Sequence, residues 1–219
     1  MTKALLIDDH PIVLDACKRL LERAGASHVV QASCMVDGFR QYRAMRPDVI
    51  VVDLSMRSGV LDGISFIRRL RMHDRTTPIL VFSMHSDPVV VSRAFAVGGT
   101  GYLWKATNPD EFSKAFHKVL AGQRYVSHEL ASDIVFMEVN SKSNPLGELT
   151  VREWQTLSLL ADGKSYGAIA DELHVSYKTV ANTASLVKTK LGAKSLPDLM
   201  RIAITHLPAE PGRRSLSVR

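Results

Sequence analysis

Short apolar runs alternate with amphipathic stretches along the first half of the chain. The clearest run is VIVV at 49–52, four β-branched residues preceded by Pro47 and Asp48 and closed by Asp53. An unbroken run of this kind predicts a strand covered on both faces, as in a parallel sheet under helices. ALLI at 4–7, HVVQAS from His28, PILVFS from Pro78 and GYLW from Gly101 share its character. Between these runs the apolar positions fall at helical spacing. Pro11 suits a first helical turn, Ile12, Val13, Ala16, Cys17, Leu20 and Leu21 repeat at that spacing, and Gly25 ends the helix. Further helical patterns lie near 35–45, 63–73, 88–97 and 108–121. Strict alternation of strand and helix predicts right-handed crossovers, and so a doubly wound, five-stranded parallel α/β sheet with helices on both faces.

After Gly122 the pattern changes. SHELASDIVFMEV has room for one short helix, and NSKSNPLGE at 140–148 has the polar, Pro and Gly content of a linker. From Thr150 onward the periodicity is helical only. Thr150 and Glu153 stand at capping-box spacing, Trp154, Leu157, Leu160 and Ala161 share one face, and Gly163 is the stop. A second helix is predicted from Ser165 to near Leu173 and a third from about Tyr177 to Leu191, with Ser195, Pro197 and Asp198 opening a fourth. Two short helices joined by the tight turn HVS make a helix-turn-helix, whose second helix can lie in a DNA major groove. The chain therefore divides into a sheet domain at 1–123, a linker at 124–146, a small all-α domain at 147–207 and a tail at 208–219 expected to be disordered.

Composition narrows the class. With 46% hydrophobic and 23% charged residues in 219, the chain is globular and long enough for two modest domains. Cys17 and Cys34 have no metal-like spacing, and MTKALLIDDH reaches acidic residues after four apolar ones, far short of a signal or spanning segment. A cytoplasmic protein with no membrane partner is expected. No glycine fingerprint follows the first strand and no Walker-type lysine loop is present, so the sheet is not built to cradle a nucleotide.

The chemistry gathers at the strand ends. Asp8 and Asp9 follow the first strand and Asp53 the third, while Ser83 ends the fourth and Lys105 follows the fifth. In open α/β sheets ligands bind outside the carboxyl ends of the strands, so these groups converge on one edge. Three carboxylates placed together repel one another, and a hard divalent cation relieves the repulsion. Mg²⁺ suits the oxygen donors of Asp8, Asp9 and Asp53 and retains positions for phosphate oxygens. A lysine and a hydroxyl beside it complete a phosphoryl site with Asp53 as the oxygen nucleophile.

With an acidic pair after strand one, Asp after strand three, Ser after strand four and an aromatic-preceded Lys after strand five, residues 3–121 resemble the receiver domain of two-component response regulators. The resemblance implies that Asp53 accepts phosphate from a sensor histidine kinase, with Mg²⁺ held by Asp9, Asp53 and the backbone carbonyl of Ser55. It further implies that Ser83 and Tyr102 switch position on phosphorylation, and that Ser55 and His85 flank the path of the water that removes the phosphoryl group. One departure stands out: where the family usually has Met-Pro and a short loop, Met56 is followed by Arg57 and the longer stretch SGVLDG.

Residues 149–200, with their Leu-Thr-x-Arg-Glu opening, Ile-Ala pair, Ser-x-x-Thr-Val and Lys-Leu-Gly, resemble the LuxR-type helix-turn-helix of the NarL/FixJ class. The resemblance places Ala181, Asn182 and Ser185 toward the DNA groove, with Lys178, Thr179 and Lys188 beside them. From Ser176 to Leu191 there are three lysines, Lys178, Lys188 and Lys190, and no acid, which gives the proposed reading helix a charge of +3. The expected function is a homodimeric transcription regulator that binds double-stranded DNA under phosphorylation control and catalyses nothing beyond its own phosphoryl chemistry. The alternatives are a phosphorylation-independent dimerisation module and a Mg²⁺-dependent phosphotransferase acting on small molecules.

Overall fold

The computed structural model describes residues 1–56, 62–128, 130–132, 134 and 145–206. The chain forms two compact units, Met1–Val135 and Phe136–Arg219. In the first, strands β1 (Thr2–Ile7), β2 (Ala26–Ala32), β3 (Val49–Val52), β4 (Ile79–Ser83), β5 (Gly101–Trp104) and β6 (Tyr125–Val126) build one sheet in the order β2-β1-β3-β4-β5-β6, and every neighbouring pair is parallel. Helices α1 (Pro11–Arg23), α2 (Met35–Met45), α3 (Asp62–Arg71), α4 (Pro88–Ala96) and α5 (Pro109–Leu120) make the crossovers. The five expected strands are all present. The sixth is two residues long, too short to leave a periodic trace, and lengthens the β5 edge inside the stretch expected to begin the linker.

All four residues of β3 are fully buried, as a strand beneath helices on both faces requires. Alternate residues serve the two faces. Leu6, Val49, Val51 and Phe82 join Leu14, Cys17 and Leu21 of α1 and Phe112 and Phe116 of α5 in one core cluster. On the other face the ring of Phe39 on α2 packs against Phe66 on α3, with centroids 4.5 Å apart. Helix starts follow local chemistry: Pro11 opens α1, the Asp87 side chain accepts from the Val89 amide at α4, and the Asn108 side chain from the Glu111 amide at α5. Gly25, at φ +96, turns the chain out of α1 in a conformation that favours glycine.

Strand order reverses between β1 and β3, which makes their carboxyl ends the switch point of the sheet. The ladder pairs Ile7 with Val52 and Ser83 with Trp104, so Asp8, Asp53 and Lys105 emerge at one level. The Asp53 amide donates to the Ile7 carbonyl at 2.9 Å.

The second unit is helical, as expected: a 3-10 turn at Pro145–Glu148, then α6 (Val151–Ala161), α7 (Tyr166–Glu172), α8 (Tyr177–Lys190) and α9 (Leu196–His206). Thr150 and Glu153 form the expected capping box, and Ser165 and Ser176 cap α7 and α8. Trp154, Leu157, Ile169, Val180, Val187 and Leu199 fill its core. The turn between α7 and α8 places His174 at φ 51. Residues 128, 130–132 and 134 are helical where a short helix was expected. The rest of the stretch expected to hold that helix, residues 57–61 of the expected longer loop and the expected tail at 208–219 lie outside the described residues. Among the described residues no helix is long and apolar enough to cross a membrane.

Gly63 supports the strand end that carries Asp53. Its amide donates to the Leu54 carbonyl at 3.0 Å, and a Cβ added there would stand 2.2 Å from the Asp53 carbonyl oxygen and 2.7 Å from Leu54 Cα. Backbone cannot yield as a flexible side chain can. Gly63→Ala is expected to cost about 1–3 kcal/mol, read as a lower urea midpoint, and to displace the Asp53 loop.

Candidate functional site

The switch-point edge brings the predicted groups together. Lys105 Nζ lies 2.6 Å from Asp8 Oδ2 and 2.8 Å from Asp53 Oδ2, with all three side chains buried. The other oxygen of Asp53 accepts from the Leu54 amide at 2.7 Å. Burial drives the Asp53 carboxyl above its ordinary pKa, and Lys105 opposes this without cancelling it. Burial also disfavours the charged lysine, but Asp53 and Asp8 outweigh it and raise the Lys105 pKa. Beneath the ion pair, burial and then Asp8 push the Cys17 thiol up to about 12, so this buried cysteine stays protonated at neutral pH.

Asp8, Asp9, His10 and Asp53 each present a ligand atom, all within 4.8 Å of one another. His10 is a member that sequence reasoning missed. Its ring Nδ1 lies 2.9 Å from Asp9 Oδ1 and 3.2 Å from Asp8 Oδ1, and its amide donates to Asp8 Oδ1 at 2.9 Å. The only signal in the sequence was its place directly after the acidic pair.

Around the rim, Ser55 Oγ and His85 Nε2 are hydrogen-bonded at 2.6 Å. Tyr102 is fully buried and its hydroxyl donates to the His85 carbonyl at 2.8 Å. Burial pushes that phenol far above its usual pKa, which keeps it a donor. Ser83 is buried at the end of β4; its hydroxyl oxygen stands 3.4 Å from the His85 amide, a weak contact. The Trp104 indole donates to the Met84 carbonyl at 3.1 Å, a second anchor for this loop that the sequence did not reveal.

In the helical unit, α8 buries Val180, Ala184 and Val187 and leaves Lys178, Asn182 and Ser185 exposed on the opposite face. Thr179 is exposed, its hydroxyl paired with Ser176 Oγ at 2.8 Å, while Ala181 and Lys188 are half-buried along the flank. Of the three lysines that give this helix its formal +3, one is paired within the unit. Lys190 Nζ lies 2.7 Å from Glu153 Oε2 and 3.3 Å from the Glu148 carbonyl, so its charge is spent on α6. Among the described residues, Lys178 and Lys188 enter no ion pair.

Residues 4–117 match the model of the response regulator receiver domain, and residues 147–203 match that of the bacterial regulatory proteins of the luxR family. The methanol utilization control regulatory protein MoxX of Paracoccus denitrificans is 40% identical over 206 residues, 94% of this chain and 92% of that protein. Response regulator UvrY of Escherichia coli strain K12 is 28% identical over 209 residues, 94% of this chain and 95% of that protein. Among solved structures, RcsB from Salmonella enterica serovar Typhimurium, bound to promoter rprA in the presence of the phosphomimetic BeF3-, superposes with a TM-score of 0.66 at 24% identity, covering 93% of this chain and 98% of that one.

Burial works against the Glu153 carboxylate, but Lys190 and the Thr150 amide more than compensate and hold its pKa below the ordinary value. A depressed folded-state pKa means that the contribution is present above the unfolded value of about 4.3 and is lost as pH falls through the folded one. Glu153→Gln should therefore cost roughly 1 kcal/mol at pH 7. In urea unfolding at successive pH values, the gap from wild type is expected to hold down to about pH 5 and close below about pH 4.

Proposed function

This chain belongs to the response regulators that carry a receiver domain and a LuxR-type DNA-binding domain, and from that premise we propose that phosphorylation of Asp53 controls its dimerisation and DNA binding. The receiver takes in residues 1–123 and the short β6 at Tyr125–Val126, and the stretch from there to 146 links it to the DNA-binding domain at 147–207. The observation that carries this function is the buried contact of Lys105 with both Asp8 and Asp53 at the switch point of the sheet.

A carboxylate oxygen of Asp53 forms the new bond to phosphorus as the P–N bond to the kinase's phosphohistidine breaks, and the imidazole departs with the bonding pair. Lys105, already 2.8 Å from Asp53 Oδ2, is placed to neutralise charge on the equatorial oxygens. The acidic cluster of Asp8, Asp9 and Asp53 fits Mg²⁺, for which hard carboxylate oxygens are the preferred donors, with the Ser55 carbonyl as a further ligand. Bound there, Mg²⁺ supplies charge neutralisation for phosphate oxygens. Ser83 and Tyr102 act as the switch: the hydroxyl of Ser83 turns to the phosphoryl group, and Tyr102 follows through its hold on the His85 carbonyl. Ser55 and His85 tune hydrolysis of the phosphoryl group as one hydrogen-bonded unit.

In the DNA-binding domain, Lys178, Thr179 and Lys188 position α8 on phosphates, while Ala181, Asn182 and Ser185 face the bases. Asn182 is the member of this face able to make a bidentate contact, and adenine N6 and N7 are the matching edge. A homodimer doubles the modest charge left on each reading helix.

Mass measurement after incubation with acetyl phosphate and Mg²⁺ is expected to show one added phosphoryl group on wild type and none on Asp53→Asn. Equal labelling would assign the acceptor elsewhere, and unchanged DNA binding by a labelled wild type would make the receiver a constitutive dimerisation module. On specific and scrambled duplexes, Asn182→Ala should cost roughly 1–3 kcal/mol on the specific site alone. Lys188→Ala should weaken both duplexes alike and lower the salt slope by about 1 per monomer.

A further inference from the structure

Between α2 and α3 the receiver carries an open groove of about 1010 Å³, and we propose that it docks an acidic, amphipathic helix of a protein partner. The groove runs along α2 from Val36 to Arg46 and meets the carboxyl end of α3, whereas Asp53 stands by the amino end of α3. Val36, Phe39 and Leu70 supply apolar lining, and Val36 is 80% exposed. Arg43, Arg46, Arg69 and His73 supply the cationic lining.

Charge sets the class of occupant. Among the described residues no Asp or Glu lines the groove, and Arg43, Arg46 and Arg69 enter no ion pair. Arg40, a fourth arginine of the lining, is held by Asp37. A second carboxylate bonded to the lining, Asp74, is already engaged by the Thr76 and Thr77 amides at 2.7 and 3.0 Å and by the Tyr42 hydroxyl at 2.7 Å. Cations gathered without a counter-charge favour an incoming anion. From residue 19 to residue 104 all eleven cationic side chains of Lys or Arg type are arginine, whose planar fork matches a carboxylate better than an ammonium does.

The apolar lining separates a peptide from a bare polyanion. A phosphate backbone has nothing to offer Val36, Phe39 and Leu70, whereas a helix with leucines at i, i+3, i+4 and i+7 and glutamates beside them meets both the apolar strip and the arginines. Arg46 also stands in the left-handed region at φ 49, where glycine is favoured, as the C-cap of α2. Arg43 and Arg69 could serve only to complement the negative ends of their helices. Arg46 gives the distinguishing variant, because Arg46→Gly relaxes the backbone while it removes the side chain.

The test is fluorescence anisotropy with the full chain and three labelled probes: a peptide of leucine, alanine and glutamate with leucines at the stated spacing, its isomer with the leucines scrambled, and an oligothymidylate strand. The patterned peptide is expected to bind about tenfold or more tightly than its isomer. The double variant Arg43→Glu/Arg69→Glu should weaken it by about tenfold or more. Arg46→Gly should weaken it severalfold with an unchanged or higher melting temperature, and neither variant should alter binding of the strand. Equal affinity for the two peptides, no binding of the patterned one, or undiminished binding by the charge-reversed protein would overturn the proposal. Loss of strand binding in place of peptide binding would assign the groove to nucleic acid instead.

Discussion

Three carboxylates and one ammonium share the buried carboxyl edge of the sheet, and the receiver is arranged around their mutual repulsion. Asp8 and Asp53 are nearly inaccessible, and burying a carboxylate without a partner is costly. Lys105 touches both and partly offsets the burial of Asp53, whose pKa is still raised. One ammonium cannot balance Asp8, Asp9 and Asp53. The residual negative charge is what the proposed Mg²⁺ would offset, with Lys105 beside the proposed phosphoryl acceptor.

This arrangement depends on backbone that carries no charge. Parallel registers bring β1, β3 and β5 to a common level, and Gly63 lets α3 begin against the Asp53 and Leu54 backbone. The β4–α4 loop is then tied from several directions: Ser55 holds the His85 ring, Tyr102 its carbonyl, and Trp104 the Met84 carbonyl. A change of charge at Asp53 meets an interconnected set of hydrogen bonds, which move together more readily than singly.

In the helical unit the division of labour among lysines is set by packing. Lys190 joins the end of α8 to the capping box of α6 through Glu153. Lys178 and Lys188 keep their charge for the exposed face. Buried Val180, Ala184 and Val187 set which side of the helix that face is.

Much of this was legible in the sequence, because local patterns carry it. VIVV could only be a strand covered on both sides, Thr150 and Glu153 formed the cap that their spacing implied, and Asp8, Asp53 and Lys105 met because parallel strands end together. The two-residue β6 left no trace, since a strand that short has no period. Charge counting also failed at Lys190, because whether a lysine is free or paired depends on a partner 37 residues away. Likewise, the bridging of the acidic pair by His10 was signalled only by its place after that pair, and the resemblance set Ser55 and His85 beside one water path without showing that they bond to each other. Periodicity and strand ends are properties of neighbours along the chain, so the sequence alone determined the elements and the edge where chemistry gathers. Pairing between side chains depends on distances that exist only after the helices have packed, and the tertiary structure alone decided it.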